Sequence, residues 1–235
     1  MTESDALFIR EKFHFNRLIG LNQQKLYNPD AEKSLYEREI IYDNNGFPEL
    51  HASFRMLFST WSKMRYSIVR PEFNSMDRFQ ALLANDKVIL FIVRDGETFN
   101  IDFLDFSEEM LDKLVKAFAE ITDIEHRVNG FNITMSVDEY RSLTDKDEEA
   151  VYVQWQKQLG IPAEVLRKYI AEVSTETNAQ MLIVEDHEEN VGYLGKIACR
   201  EDGIYAIKHV THEKDEKMVL AFGNSQDIIN CIYNF

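Results

Sequence analysis

The chain has 235 residues, 45% apolar and 12% aromatic, which is enough to bury a substantial core and excludes a disordered segment. Its 41 acids against 26 bases give a net charge of −15, split as −7 up to Glu125 and −8 beyond it. An evenly acidic surface disfavours nonspecific binding to nucleic acid and to anionic membranes, and suits solubility or a basic partner.

The opening Met1-Thr-Glu-Ser-Asp5 lacks the basic and apolar regions of a signal peptide, and the longest apolar run, 88–93, is only strand length. A cytoplasmic protein without membrane insertion is expected. Cys199 and Cys231 have no metal-ligand or redox spacing and are expected to be buried thiols.

In chain order, Phe8-Ile9-Arg10 reads as a short strand feeding a helix through Phe15 and Leu18, and 30–42 reads as a second helix. The turn Asn44-Asn45-Gly46-Phe47-Pro48 feeds a third helix opened by Pro48, with Phe54, Leu57, Phe58 and Trp61 on one stripe. Strands are predicted over 65–70, 78–84, 87–94 and 98–105. Ser107 then caps a closing helix that carries Met110, Leu111, Leu114, Val115 and Phe118.

The second half gives this order again. Ile133-Thr134-Met135 is a short strand, and Ser136 with Glu139 is a capping box opening a helix through Tyr140 and Leu143. A helix over 147–159 follows, then one opened by Pro162 with Val165, Leu166, Tyr169, Ile170 and Val173 on its stripe. Strands are predicted over 180–185, 192–200, 203–210 and 217–222, and Ser225 caps a last helix with Ile228, Ile229, Ile232 and Tyr233.

The spacings agree. Ile68 to Leu182 and Phe79 to Tyr193 are both 114 positions, Val88 to Ile204 is 116, and Ser107 to Ser225 is 118. The expected fold is therefore α+β, an internal duplication of a helix–four-stranded antiparallel meander–helix unit. The repeats are 1–125 and 126–235, and the two halves are expected to share a central sheet by pseudo-twofold symmetry in one compact domain, which removes two exposed edges.

Chemistry-bearing motifs have structural explanations. Gly192 and Gly195 do not form a phosphate loop and suit a bulge or close strand approach. His209 and His212 lack a third ligand of matching pattern, and Asp186-His187-Glu188-Glu189 is a charged hairpin loop. Acid pairs such as Glu108-Glu109 sit in first helical turns, where the macrodipole favours them. No catalytic, cofactor-binding or metal-binding residue is expected, and no enzymatic activity. Arg94-Asp95-Gly96 and Glu201-Asp202-Gly203 are turn signals.

The segment Pro71-Glu-Phe-Asn-Ser-Met-Asp77 breaks the symmetry, because its counterpart at 187–190 is shorter and acidic. Phe73 and Met76 within it either pack back on their own domain or contact a partner.

This pattern resembles the EspG family of type VII (ESX) secretion chaperones. The resemblance is carried by the twice-repeated helix, meander and helix, and by Asp43-Asn-Asn-Gly-Phe-Pro48, Tyr66-Ser-Ile-Val69, Arg94-Asp-Gly96, Phe99-Asn-Ile-Asp-Phe103 and Ser107-Glu-Glu109. A bias to Lys, Asn, Phe and Ile makes it similar to a low-GC Gram-positive relative. The resemblance implies a cytoplasmic, cofactor-free binder that shields a helical secreted protein, WXG100- or LXG-like, before export. It also implies that the loop after the first meander strand binds, which makes Pro71, Phe73 and Met76 the candidate partner-binding residues. The alternative from another class is an immunity protein that masks a basic toxin domain.

Overall fold

The chain starts with a pinned N-terminus. In the computed structural model, which describes residues 1–21, 25–71, 78–124, 127–144, 149–174, 179–212 and 215–233, Thr2 bridges Thr98 in antiparallel fashion and the Phe99 N–H donates to the Met1 carbonyl at 2.7 Å. Thr2 also caps α1 (Glu3–Lys12) in a capping box: the Asp5 N–H donates to Thr2 Oγ1 at 3.1 Å, and the Thr2 N–H to Asp5 Oδ2 at 2.9 Å. Phe8-Ile9-Arg10 is therefore helical, not the expected strand. The extended piece is Met1-Thr2, and the cap commits everything after it to helix.

Contacts divide the chain into two compact units, Met1–Ser107 and Glu108–Phe235. In the first, α2 (Ala31–Glu37) stops short of the helix expected over 30–42, because Glu39 takes a left-handed φ of 55°. Strands β1 (Ile41–Asn44) and β2 (Phe47–Leu50) then form a hairpin. Asn45 and Gly46 have φ of 56° and 85°, the pair of positive values a type I′ turn needs and that Asn-Gly supplies. Pro48 accordingly lies in β2 and does not open a helix; α3 (Ala52–Trp61) begins four residues later.

The meander follows as expected: β3 (Tyr66–Pro71), β4 (Arg78–Ala84), β5 (Val88–Asp95) and β6 (Thr98–Asp105), in spatial order β6-β5-β4-β3, all antiparallel. One face of this sheet, with Ala81, Leu83, Leu90, Ile92 and Phe99, shares a core with Leu7 and Ile9 of α1, Leu35 of α2, and Phe58 and Trp61 of α3. Edge strand β6 buries Phe99 and exposes Asn100 and Asp102, the alternation of a strand wetted on one side.

A buried ionic cluster holds this unit's N-terminus. Glu3, fully buried, takes Arg94 Nη2 at 3.0 Å and Lys25 Nζ at 2.9 Å, and Asp5 takes Arg38 Nη1 at 2.7 Å. Arg94, 9% exposed, also lies over the Phe99 ring at 5.6 Å and donates to the Gly96 carbonyl. The Arg94-Asp95-Gly96 turn thus carries a core residue, which its turn signature concealed.

In the second unit, α4 (Glu108–Phe118) begins one residue after Ser107 and packs against α8 (Ser225–Tyr233). Between them come β7 (Phe131–Ser136), α5 (Val137–Thr144), α6 (Glu149–Leu159) and α7 (Ala163–Ser174), then β8 (Gln180–Asp186), β9 (Val191–Arg200), β10 (Gly203–His212) and β11 (Asp215–Gly223). The antiparallel order is β8-β9-β10-β11-β7. The Ser136/Glu139 capping box is formed, with both reciprocal backbone bonds, and the Ser136 N–H and hydroxyl, both donating to the Glu139 carboxyl, hold it below its usual value. At α8 the cap is Asn224, which accepts from the Gln226 and Asp227 N–H groups, and not Ser225, whose hydroxyl is turned to Asp123.

Helices α5 and α7 cover one sheet face through Leu143, Leu166, Tyr169 and Val173, over Ala198, Tyr205, Ile207 and Leu220. Gly203 is forced by this packing: a Cβ there would lie 2.2 Å from the Phe222 ring. The other face meets α8, where Lys208 Nζ donates to the Cys231 carbonyl at 2.6 Å and the Tyr193 hydroxyl to that of Ile232 at 2.8 Å. Gly195 leaves room for the Tyr193 ring, which would lie 3.1 Å from a Cβ, and the ladder around it is unbulged. Element order recurs between the units: the Thr2 bridge and α1 stand to β6 as β7 and α5 stand to β11.

Candidate partner-binding surface

Apolar side chains that stay exposed on elements too rigid to withdraw them mark surfaces for binding other proteins. The β1–β2 hairpin is the clearest case in the first unit. Its strand alternation turns Leu50 into the core, at 2% exposure, and puts Tyr42, Asn44, Phe47 and Glu49 on the outer face. Phe47 is 73% exposed and Tyr42 43%.

Polar bonds fix this face. Glu49 accepts from the Tyr42 hydroxyl and from Asn44 Nδ2, each at 2.7 Å, and the Gly46 N–H donates to Asp43 Oδ1 at 2.8 Å. The Tyr42 ring also meets His51 edge-on at 6.0 Å. The Glu49 hydrogen bond raises the Tyr42 phenol, and the bonds from Asn44 and Tyr42 lower the Glu49 carboxyl. The result is a preorganised anionic acceptor beside an unburied aromatic ring. Such an arrangement can insert an aromatic anchor into an apolar pocket and take a cation or donor at its side.

In the second unit, Ile183 and Leu194 lie directly opposite each other on β8 and β9, at 37% and 44% exposure. They share the face that α7 covers further along, and the next cross-strand residue, His209, has Nε2 3.2 Å from Glu216 Oε2. A cross-strand aliphatic pair of this kind is a small, flat apolar contact.

Of the candidates from sequence, Pro71 ends β3 and pairs with Phe79. Phe73 and Met76 lie outside the described residues. Sequence reasoning missed Phe47, which was absorbed into a turn. The signal that could have found it was Asn45-Gly46 between two short β-compatible runs, a hairpin signature that fixes which residues face outward.

Both cysteines are free thiols. Cys231 is buried in α8, where burial raises its thiol, and Cys199 donates to the Glu120 carbonyl. Among the described residues, no group of three or more His, Cys, Asp or Glu is placed to hold a metal ion. Among them, too, no helix is long and apolar enough to cross a membrane.

No protein-family model and no curated protein matches the chain. A solved structure does: the Mycobacterium tuberculosis type VII secretion system chaperone EspG5, in complex with a PE25-PPE41 dimer, superposes with a TM-score of 0.53 at 12% identity. The match covers 100% of this chain and 97% of that one. The fold is EspG-like over its whole length. At that identity the likeness extends to the path of the backbone and not to the roles of side chains.

Proposed function

We propose that the protein is a non-enzymatic, cofactor-free cytoplasmic chaperone or adaptor that binds a helical secreted protein of a type VII secretion system and keeps it soluble for export. The observation that carries this reading is the full-length fold likeness to a chaperone of such a system. Exposed Phe47, Ile183 and Leu194 on ordered elements supply the kind of apolar contacts a helical partner needs. The partner class is a WXG100- or LXG-like helical hairpin, in keeping with a low-GC Gram-positive relative of EspG chaperones. Binding residues are Pro71 at the end of β3 and Phe73 and Met76 on the segment that follows it, joined by Phe47 on the hairpin.

The test is co-expression with helical type VII substrates from the same genome, followed by co-purification and isothermal titration. The chain should form a stable complex with one of them. Phe73→Ala with Met76→Ala, or Phe47→Ser alone, should weaken it at least tenfold, the loss of about 1.4 kcal/mol or more typical of an anchor residue, with the melting temperature unchanged. A chain that ignores every helical substrate but binds a toxin domain refutes the reading in favour of immunity. Variants that bind normally refute the assignment of those residues.

A further inference from the structure

The sheet of the second unit is left partly open. Helix α8 ends where Lys208 and Tyr193 take up its last carbonyls. Beyond that point the same face continues along β10 through Val210 to His212, and across β11 to Asn132 and Thr134 on β7. These residues enclose a concavity of about 370 Å³, within the size range of small-ligand sites.

Its floor is apolar, made of Val191, Val210 and Val219. Its charge opposes that of the whole chain. Two cations line it, Lys208, whose Nζ donates to the Cys231 carbonyl, and Lys217, against one carboxylate, Asp215, which lies 2.6 Å from Lys217. In a protein of net charge −15 this is a local reversal of sign.

The strand bordering the concavity has a second property. β7 is the outermost strand of its unit's order, and among the described residues nothing pairs with it on the side away from β11. Folded proteins blunt such edges with charge, lysine or proline. The run Phe131-Asn-Ile-Thr-Met-Ser136 has none of these, and its Asn132 and Thr134 are exposed. The outer strand of the first unit is different: β6 carries Asp102 and Asp105 and is already bridged at Thr98 by Thr2.

We propose that β7 and this concavity bind an extended peptide segment of a partner protein that carries a single acidic side chain in an otherwise neutral run. The segment pairs with the free edge of β7, and its alternate side chains reach over Asn132 and Thr134. The carboxylate reaches across β7 to Lys217 on β11, where it joins Asp215 as a second acceptor for the ammonium. Backbone pairing supplies affinity and the alternating contacts supply selectivity, the usual division in strand addition. A carboxylate at a half-desolvated lysine is a charge-assisted contact. The acidic field of the rest of the chain repels polyanions, so one carboxylate is favoured over a run of them. This surface takes an extended chain, so it stands independently of the helical-substrate reading.

The test uses the full chain, isotopically labelled, and capped seven-residue peptides alternating Thr and Val with a central Glu, Gln or Lys. The Glu peptide should shift amide resonances of β7, β10 and β11 and bind at least tenfold more tightly than the Lys peptide. Lys217→Glu, at a half-exposed position that the fold does not need, should invert that preference. Two further Glu peptides, N-methylated on one or the other set of alternate residues, separate strand pairing from simple charge attraction: one should bind and the other should not. Absence of binding, equal affinity for Glu and Lys peptides, indifference to Lys217→Glu, or any other N-methylation pattern overturns the proposal. Binding of the peptides without any helical substrate would leave this inference standing and overturn the chaperone reading alone.

Discussion

Replacing Arg94 with methionine tests whether the buried ionic cluster sets the stability of the first unit. Glu3 has no exposed surface, and Arg94 Nη2 is 3.0 Å from its Oε2. Removing one member of a buried pair costs about 3–5 kcal/mol, because the other charge stays desolvated. Lys25, with 42% of its side chain exposed, still reaches Glu3 at 2.9 Å and offsets part of this. The Met side chain keeps contact with Phe99 but loses the cation–π attraction, so a net loss of roughly 2–3 kcal/mol is expected. For a unit of this size that is a fall in melting temperature of about 10 °C. The assay is calorimetry of the wild type, Arg94→Met, Glu3→Gln and the double variant. The double variant should be more stable than the sum of the single losses by about 1–2 kcal/mol, because no charge is left buried without its counterion. A single-variant loss below about 1 kcal/mol, or strict additivity, would refute the claim that this pair acts as a unit.

Ser136→Ala removes the hydroxyl half of the α5 capping box and should cost about 1 kcal/mol, with faster amide exchange at Glu139 as the local readout. Gly203→Ala drives a methyl group into the Phe222 ring and should cost about 1–3 kcal/mol, read as a lower denaturation midpoint. Burial raises the phenols of Tyr169 and Tyr193, and that of Tyr205, where the hydrogen bond to Asp202 adds to it. Their folded values lie above the ordinary value of 10.0, so the protonated forms stabilise the fold fully below pH 10 and this contribution is lost as pH rises past it. Phenolate absorbance should therefore appear together with loss of tertiary circular dichroism. Smooth titration of all ten tyrosines in a folded protein would contradict the burial argument.

Legibility in the sequence followed the range of the interactions involved. The eight meander strands were readable because apolar alternation and tight turns such as Gly96-Glu97 and Glu201-Asp202 are local signals, and strands β4 and β6 run over the positions their patterns mark. The N-terminal third was misread where one local signal competed with another. Phe8-Ile9-Arg10 has strand-like composition, yet the Thr2/Asp5 box just upstream decides the matter. Asn45-Gly46 was read as a turn before a helix because Pro48 is also a helix opener; only pairing of Ile41 with Leu50 makes it a hairpin. Arg94 looked like a turn residue, and nothing in its own neighbourhood reveals that Glu3, 91 positions away, makes it a core cation. The concavity bordered by β7 was illegible for the same reason, since it draws on four strands whose register is set by pairing.

The two units differ at the strand that leads into their first capped helix. The position that in the second unit is a six-residue strand, β7, is in the first only Met1-Thr2, bridged to Thr98. Both lead into a capped helix, Thr2 with Asp5 and Ser136 with Glu139, so the junction has the same chemistry and the same job of fixing where helix begins. What differs is how much edge each presents. In the first unit the outer strand is short of partners but bears acids, a combination that discourages pairing with another strand. In the second the added strand is neutral and borders a basic concavity. If helical packing alone were at stake, a two-residue bridge would suffice to seat the helix, as it does for α1. The extra length of β7 places Ile133 and Met135 in the core, and it also adds backbone pairing capacity and a wall for the concavity. Retaining an unprotected edge carries an aggregation cost that a folded protein ordinarily avoids, and a bound strand is the state in which that cost disappears.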